Sequence, residues 1–247
     1  MHLMELTHTE KEVERKRGRV AQQFIAASPH LCGEQIKHLS TLDLQLLFNL
    51  YEKELFEGAW AEEVGAEPTF SLSTRMTRSA GKTITKRKPL GAGQYQTSFE
   101  IRIGVNFLVQ FDAVDRSKTV CGLRAPSALC ALLLVLEHEL CHVIESVYFK
   151  TSNCSKERFK VLAHRLFGHM SSYHALPTAQ EIAYQEHGLR IGDEVIFFYQ
   201  DKLYTGRISA INKRATIMVP TKGGSYMDGK GVRYNKFYTP LSALSVR

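Results

Sequence analysis

Apolar residues recur along this chain with two different periods. Leu42, Leu44, Leu46, Leu47, Leu50, Tyr51, Leu55 and Phe56 follow a helical repeat, which predicts an amphipathic helix. Ser40 or Thr41 offers its cap and Gly58 its end. Phe70 and Leu72 alternate with polar residues over 69–78, and Phe99, Ile101, Ile103 and Val105 do so further on; such alternation predicts two strands. The intervening residues 79–94 carry Gly81, Lys82, Lys86, Arg87, Lys88, Pro89, Gly91 and Gly93, the composition of a basic turn or hairpin loop. Pro126 and Ser127 open an apolar helix that runs to about Tyr148. Phe159, Leu162, Ala163 and Leu166 mark a second helix over 156–167, with Gly168 as its stop.

After Gly188 the period shortens to two. Residues 195–199, 203–208 and 215–219 are strand candidates, with turns at Gln200-Asp201-Lys202 and Asn212-Lys213-Arg214. Short strands at near-even spacing suggest a small barrel. The pattern divides the chain into a helical or flexible lead-in over 1–39, a mixed domain over 40–175, an irregular linker over 176–187 and an all-β module over 188–247. The expected fold class is α+β, helices plus a small sheet, with a small all-β barrel at the C-terminus.

A length of 247 residues suffices for one large or two modest domains. Hydrophobic residues at 44% and charged residues at 23% are ordinary for a globular chain. No apolar stretch reaches the roughly 18 residues expected of a membrane span, so no membrane partner is expected. The first 19 residues are polar and lack the apolar core of a secretory signal, which suggests a cytoplasmic location. The cysteines, Cys32, Cys121, Cys130, Cys141 and Cys154, are odd in number and contain no C-x-x-C pair; reduced thiols fit that better than a disulfide framework. Net charge is +7. Residues 188–247 hold ten Lys and Arg against four Asp and Glu, a net +6, so nearly all the basic excess is C-terminal.

The candidate chemistry lies in the apolar helix. His138-Glu139-Leu140-Cys141-His142 reads H-E-x-x-H and follows directly on Leu132, Leu133, Leu134, Val135 and Leu136. Residues four apart share one helix face, so His138 and His142 can offer two imidazoles to one metal ion with Glu139 beside them. Zn²⁺ in catalytic sites takes three protein ligands and keeps a fourth position for water, and a nearby carboxylate can remove that water's proton. The pattern is that of metal-assisted peptide hydrolysis. The alternative is a pair of satisfied core histidines, which must find partners for several buried polar groups at a cost of kilocalories each.

The order of elements around this motif resembles an SprT-like zinc metallopeptidase domain. The matching pieces are Leu50-Tyr51-Glu52-Lys53-Glu54-Leu55-Phe56, then Ser73-Thr74-Arg75 followed by Gly81, and Glu100-Ile101-Arg102-Ile103. The H-E-x-x-H helix comes next, and then Arg158-Phe159-Lys160 on a helix ending Phe167-Gly168-His169. The resemblance covers roughly residues 40–175. It implies a small sheet packed beside metal-bearing helices, zinc, and peptidase activity; some relatives degrade proteins crosslinked to DNA. One feature departs from the pattern. The family supplies a third histidine in a His-Gly pair four residues before an aromatic; here Phe159 is the aromatic and Ser155 stands at that place. A serine hydroxyl is a poor zinc ligand, whereas the neighbouring Cys154 offers a thiolate. Cys154 is therefore the expected third ligand, with His164, His169, His174, Glu157 or no third protein ligand left open. His169 and His174 can instead orient the ligands. A cysteine ligand would make bound water less acidic, lowering activity or keeping the site latent until the thiol is modified.

The C-terminal module is similar to KOW or Tudor-like SH3 barrels, on the strength of Gly192-Asp193 before the first strand. Phe197, Phe198, Tyr199, Tyr204, Tyr226, Tyr234, Phe237 and Tyr238 interleave with eight Lys and Arg residues. Aromatics can stack bases while cations track phosphates; otherwise the aromatics fill a core and the charges are solvated. The leading expectation is a zinc-dependent endopeptidase of the SprT-like type, acting on a protein or peptide substrate, with nucleic acid as a candidate partner of the barrel. His138, His142 and Cys154 would hold zinc and Glu139 would act as base. The rival expectation is a catalytically weak zinc-binding adaptor that binds nucleic acid or protein through its barrel. A third is zinc hydrolysis of a non-peptide substrate.

Overall fold

The chain folds as two units, Met1–Leu176 and Pro177–Arg247; the computed structural model describes residues 3–65, 67–91 and 94–247. In the first unit, helix α1 (Glu10–Ala27) starts at a capping box between Thr9 and Glu12. It buries Val13, Val20 and Phe24, and Leu3 and Leu6 ahead of it are buried too. The expected lead-in is therefore part of the first unit's core. Helix α2 (Thr41–Tyr51) starts at a second capping box, Ser40 with Asp43. The expected single helix does not continue regularly: a π-helical turn follows over Glu52–Phe56. Such a turn is wider than an α-turn, and Tyr51, Leu55 and Phe56 are all buried. Glu57 and Gly58 then take positive φ, and short helix α3 (Ala59–Glu63) buries Trp60.

Strands β1 (Thr69–Ser73), β2 (Gly81–Gly91) and β3 (Gln94–Gly104) form a sheet in the order β1-β3-β2. β1 runs parallel to β3, pairing Phe70 with Ile101, and β2 runs antiparallel to it. This corrects two expectations. The strand expected over 69–78 ends at Ser73, and the basic stretch expected as a loop is strand β2. Its Thr83, Ile84 and Thr85 favour extended backbone, and its charge is paired across the ladder: Lys86 lies 2.6 Å from Glu100, which also takes Arg102 at 2.6 Å. Gly93, expected near the end of that loop, lies outside the described residues.

Short helix α4 (Asn106–Val109) and the hairpin of β4 (Thr119–Val120) and β5 (Leu123–Arg124) lead to α5 (Ala128–Phe149) and α6 (Glu157–Phe167). The Ser127 hydroxyl caps α5 by accepting from the Cys130 amide, and Lys150 ends it in the left-handed conformation. Gly168, at φ 69°, ends α6 as expected. Leu129, Leu132, Leu133, Leu134, Val135 and Leu136 of α5 are all buried. Each is worth about 1.5–3 kcal/mol, which makes α5 the axis of this unit.

The second unit opens on helix α7 (Ala179–His187), capped by Thr178 and Glu181 and ended by Gly188. The expected linker is thus largely helical; Thr178 and Glu181 are a capping-box pair. Strands β6 (Glu194–Tyr199), β7 (Lys202–Ile211), β8 (Ala215–Pro220), β9 (Tyr226–Met227), β10 (Arg233–Thr239) and β11 (Ser245–Val246) form one antiparallel sheet. Its order is β11-β6-β7-β8-β10-β9. The turn expected at Gln200-Asp201-Lys202 is the two residues Gln200 and Asp201, both at positive φ, with Lys202 already in β7. Among the described residues the sheet is open, not a closed barrel. Ala183, Leu189, Leu241 and Leu244 pack with Val195, Phe197, Ile208 and Ile217, so residues outside the strands help to cover the sheet's apolar face. Among the described residues no helix is long and apolar enough to cross a membrane.

Candidate metal centre

The one-turn spacing of His138 and His142 on α5 brings their ring centroids to 4.9 Å. Phe159 of α6 packs against both, at 4.9 and 4.4 Å. The aromatic expected on the second helix therefore buttresses the histidine pair. Cys154 sits in the loop between α5 and α6. One donor atom from each of His138, His142 and Cys154 lies within 4.8 Å of the other two. Ser155 points elsewhere, its hydroxyl donating to Asn153 Oδ1 at 2.8 Å.

The loop is held by a buried acid that the sequence reading did not single out. Glu145, on α5, accepts from the Asn153 amide at 2.9 Å and from Arg158 Nε at 2.8 Å. It also pairs with the Ser152 hydroxyl, and Ser152 Oγ is 2.6 Å from His142 Nδ1. When Ser152 donates to Glu145, His142 Nδ1–H donates to Ser152, and Nε2 keeps the lone pair a metal needs. Burial, and for His138 also the neighbouring His142, pulls both imidazoles down, to about 3 for His138 and about 4 for His142. At neutral pH both are in the uncharged ligand form. Two neutral imidazoles and a thiol, with at least one ring nitrogen anchored, are a donor set that fits a divalent metal.

Glu139 is 4% exposed. Thr83 of β2 donates to its Oε2 at 2.7 Å and to its carbonyl at 3.1 Å. Burial raises its carboxyl to about 7 despite those bonds. A Cβ on Gly81 would fall 2.5 Å from Glu139 Oε1, so only glycine allows β2 to approach so closely. Gly81 and Thr83, with His138, Glu139, His142 and Cys154, line a groove of about 690 Å³.

Glu137 faces another way and is fully buried. It accepts from Arg17 Nε at 2.7 Å, Arg17 Nη2 at 2.8 Å and the Tyr51 hydroxyl at 2.7 Å, and lies 2.9 Å from His169 Nε2. Burial pushes its carboxyl up, but the Arg17 guanidinium prevails and holds it at about 2. His169, one of the alternative ligands, is thus bound to Glu137. His169 also belongs to a second donor group with Cys121 and His138, in which Cys121 Sγ lies 3.5 Å from His138 Nδ1. Cys121 and His169 are both buried, whereas Cys154 and both motif histidines reach the groove; a catalytic metal needs an open position. His164 is exposed on α6, and His174 packs edge-on to Phe107 at 5.1 Å; neither they nor Glu157 belong to either group among the described residues.

The chain matches no family model, no curated protein and no solved structure. Arg17, Thr83 and Ser152 carry no signal of a site role in the sequence pattern, and Tyr51 shows there only as an apolar helix position. Glu145 alone left a signal, as an acid three residues past His142 and seven past His138 on the histidine face of an apolar helix.

Proposed function

We propose that this chain is a zinc-dependent endopeptidase of the SprT-like type. The observation that carries the reading is the convergence of His138, His142 and Cys154 donor atoms beside a buried carboxylate, all on one open groove. His138, His142 and Cys154 would hold the ion. Bound there, zinc would supply Lewis acidity that lowers the pKa of water, by less with the Cys154 thiolate as third ligand than with a third histidine. Glu139, with its carboxyl raised to about 7, is matched to receive a proton near neutral pH. The Thr83 hydroxyl occupies Oε2 and leaves Oε1 to take that proton and return it to the leaving amine. Phe159 and Ser152 fix the imidazoles, and Glu145 fixes the loop that carries Cys154.

The second unit supports a recruiting role on nucleic acid, in keeping with an SH3-like module. The last strand β11 returns to pair with the first, β6. Of the aromatics, Phe197 is buried, but Phe198, Tyr199, Tyr226 and Tyr238 are exposed, and Lys236 lies 4.0 Å over Tyr226. Exposed rings beside cations suit stacked bases and phosphates.

Elemental analysis of wild type, His142→Ala and Cys154→Ala tests the centre. About one zinc per chain in wild type, lost in both variants, is expected from a site needing three protein ligands. Cleavage of an unfolded protein, with and without DNA, then tests the activity. Zinc retained without Cys154 moves the third ligand elsewhere. No zinc in wild type refutes the reading.

A further inference from the structure

Strand β2 is the outer strand of its sheet, and β3 uses only half of its backbone groups. The Gly104 amide donates to the Ala80 carbonyl at 2.7 Å, and the ladder pairs Gly81 with Ile103, Thr83 with Ile101, Thr85 with Phe99 and Arg87 with Thr97. Bonded and non-bonded pairs alternate along an antiparallel ladder. Ala80 opposite Gly104 is a bonded pair, so Gly81, Thr83, Thr85 and Arg87 occupy non-bonded positions. Their N–H and C=O groups point away from β3, to the open edge. Pro89 falls in the same set, the place where a strand tolerates a missing N–H. Gly81, Thr83, Thr85 and Arg87 are also the β2 residues that, with Lys82, line the groove.

The groove wall is basic. Lys82, Arg87 and Lys150 line it, and among the described residues its one acidic lining residue is the buried Glu139. Arg87 Nη2 reaches the Lys150 carbonyl at 3.3 Å, which gathers two cations at one end. Lys86 is turned to Glu100 and takes no part.

We propose that the groove binds an extended peptide segment bearing acidic side chains, laid as an added strand along the outer edge of β2 with its carboxylates toward Arg87 and Lys150. An open edge supplies main-chain hydrogen bonds and the flanking side chains supply selectivity. The proposal rests on the peptidase reading for the fate of the segment, not for its binding.

The test is fluorescence anisotropy on the full chain carrying Glu139→Gln, which leaves the segment uncut. The probes are labelled peptides of equal length, rich in Glu, in Lys or in Ser, and a single-stranded DNA oligonucleotide. The Glu peptide should bind about tenfold tighter than the Lys peptide and weaken with salt. Adding Arg87→Glu should abolish or reverse that preference. Thr85→Pro removes one outward N–H and spares the β3 ladder, so it should weaken every peptide several-fold. If Thr85→Pro fails to fold, as read by Trp60 fluorescence, Arg87→Glu still decides. Equal binding of the three peptides, or an oligonucleotide that binds tighter than the Glu peptide, overturns the proposal. A charge preference without cleavage of any peptide by wild type refutes the peptidase reading and upholds the groove. Cleavage without charge preference does the reverse.

Discussion

Replacing Arg17 with methionine isolates a fully buried charge and the guanidinium that compensates it. Arg17 holds the fully buried Glu137 through two bonds of 2.7 and 2.8 Å and gives a third, of 2.8 Å, to the Phe167 carbonyl at the end of α6. Without the guanidinium, Glu137 keeps only the Tyr51 hydroxyl and His169. A buried pair that loses one partner typically costs about 3–5 kcal/mol, because the remaining charge is uncompensated. An exposed ion pair would cost about 0–1 kcal/mol, so the two situations are well separated. At about 2–4 °C per kcal/mol for a unit of this size, the midpoint should fall by roughly 10 °C.

Trp60, the chain's one tryptophan and 1% exposed, reports unfolding of the first unit alone. Urea titration followed at that residue gives the stability directly. The double variant Arg17→Met with Glu137→Met should recover most of the loss, since an apolar pair of similar volume often replaces a buried ion pair at little cost. A loss below about 1 kcal/mol in Arg17→Met, or a double variant no more stable than the singles, would refute this account of the network.

Other perturbations separate the chemistry from the scaffold. Glu139→Gln should lower peptide cleavage by about 10²–10⁴-fold while zinc content stays unchanged. Gly81→Ala should cut cleavage by about 10²-fold, because the new methyl displaces Glu139 Oε1; wild-type activity there would show that β2 can move away freely. Glu145→Gln should weaken zinc binding by about 10–100-fold in a chelator competition, by loosening the loop that holds Cys154. Glu100 is held down to about 2 by Lys86, Ser71 and Arg102. Its contribution is therefore fully present above the unfolded carboxylate pKa of about 4.3 and is lost as pH falls through the folded value. Urea unfolding between those limits should be flatter with pH in Glu100→Gln, and an unchanged slope would remove Glu100 from the acid sensitivity.

Helices α2, α5 and α6 were legible because each has apolar residues at helical spacing and a cap or stop residue of its own. Ser127 and Gly168 mark ends of α5 and α6 that the structure keeps. Strand β2 was not legible, since the residues from Thr85 to Gly91 are exposed and a strand without a buried face shows no alternation. The lead-in, expected as helical or flexible, is helical over Glu10–Ala27 but belongs to the first unit's core; eight of the ten residues from Glu10 to Arg19 are charged and mask the buried Val13, Val20 and Phe24. The histidine pair was legible from helix geometry alone. Cys154 was legible only as a shifted register against a family pattern, because nothing local marks a loop thiol as facing two imidazoles.

Glu137 and Glu139 show where such reading stops. They are two residues apart on α5, so they point to different faces of one helix. Both are buried, yet one carboxyl lies at about 2 and the other at about 7. Environments that drive neighbouring carboxylates apart suit one to hold a fixed charge and the other, in the proposed peptidase, to move a proton. The group that fixes Glu137 is Arg17, 120 residues earlier in the chain, in a segment whose charges look like an ordinary solvated face. The packing of β2 against Glu139 depends on Gly81, where any side chain would fall 2.5 Å from Oε1 and which has none. Neither determinant has a local signature, and the division of labour on α5 is therefore a property of the packing of α1 and β2 around it.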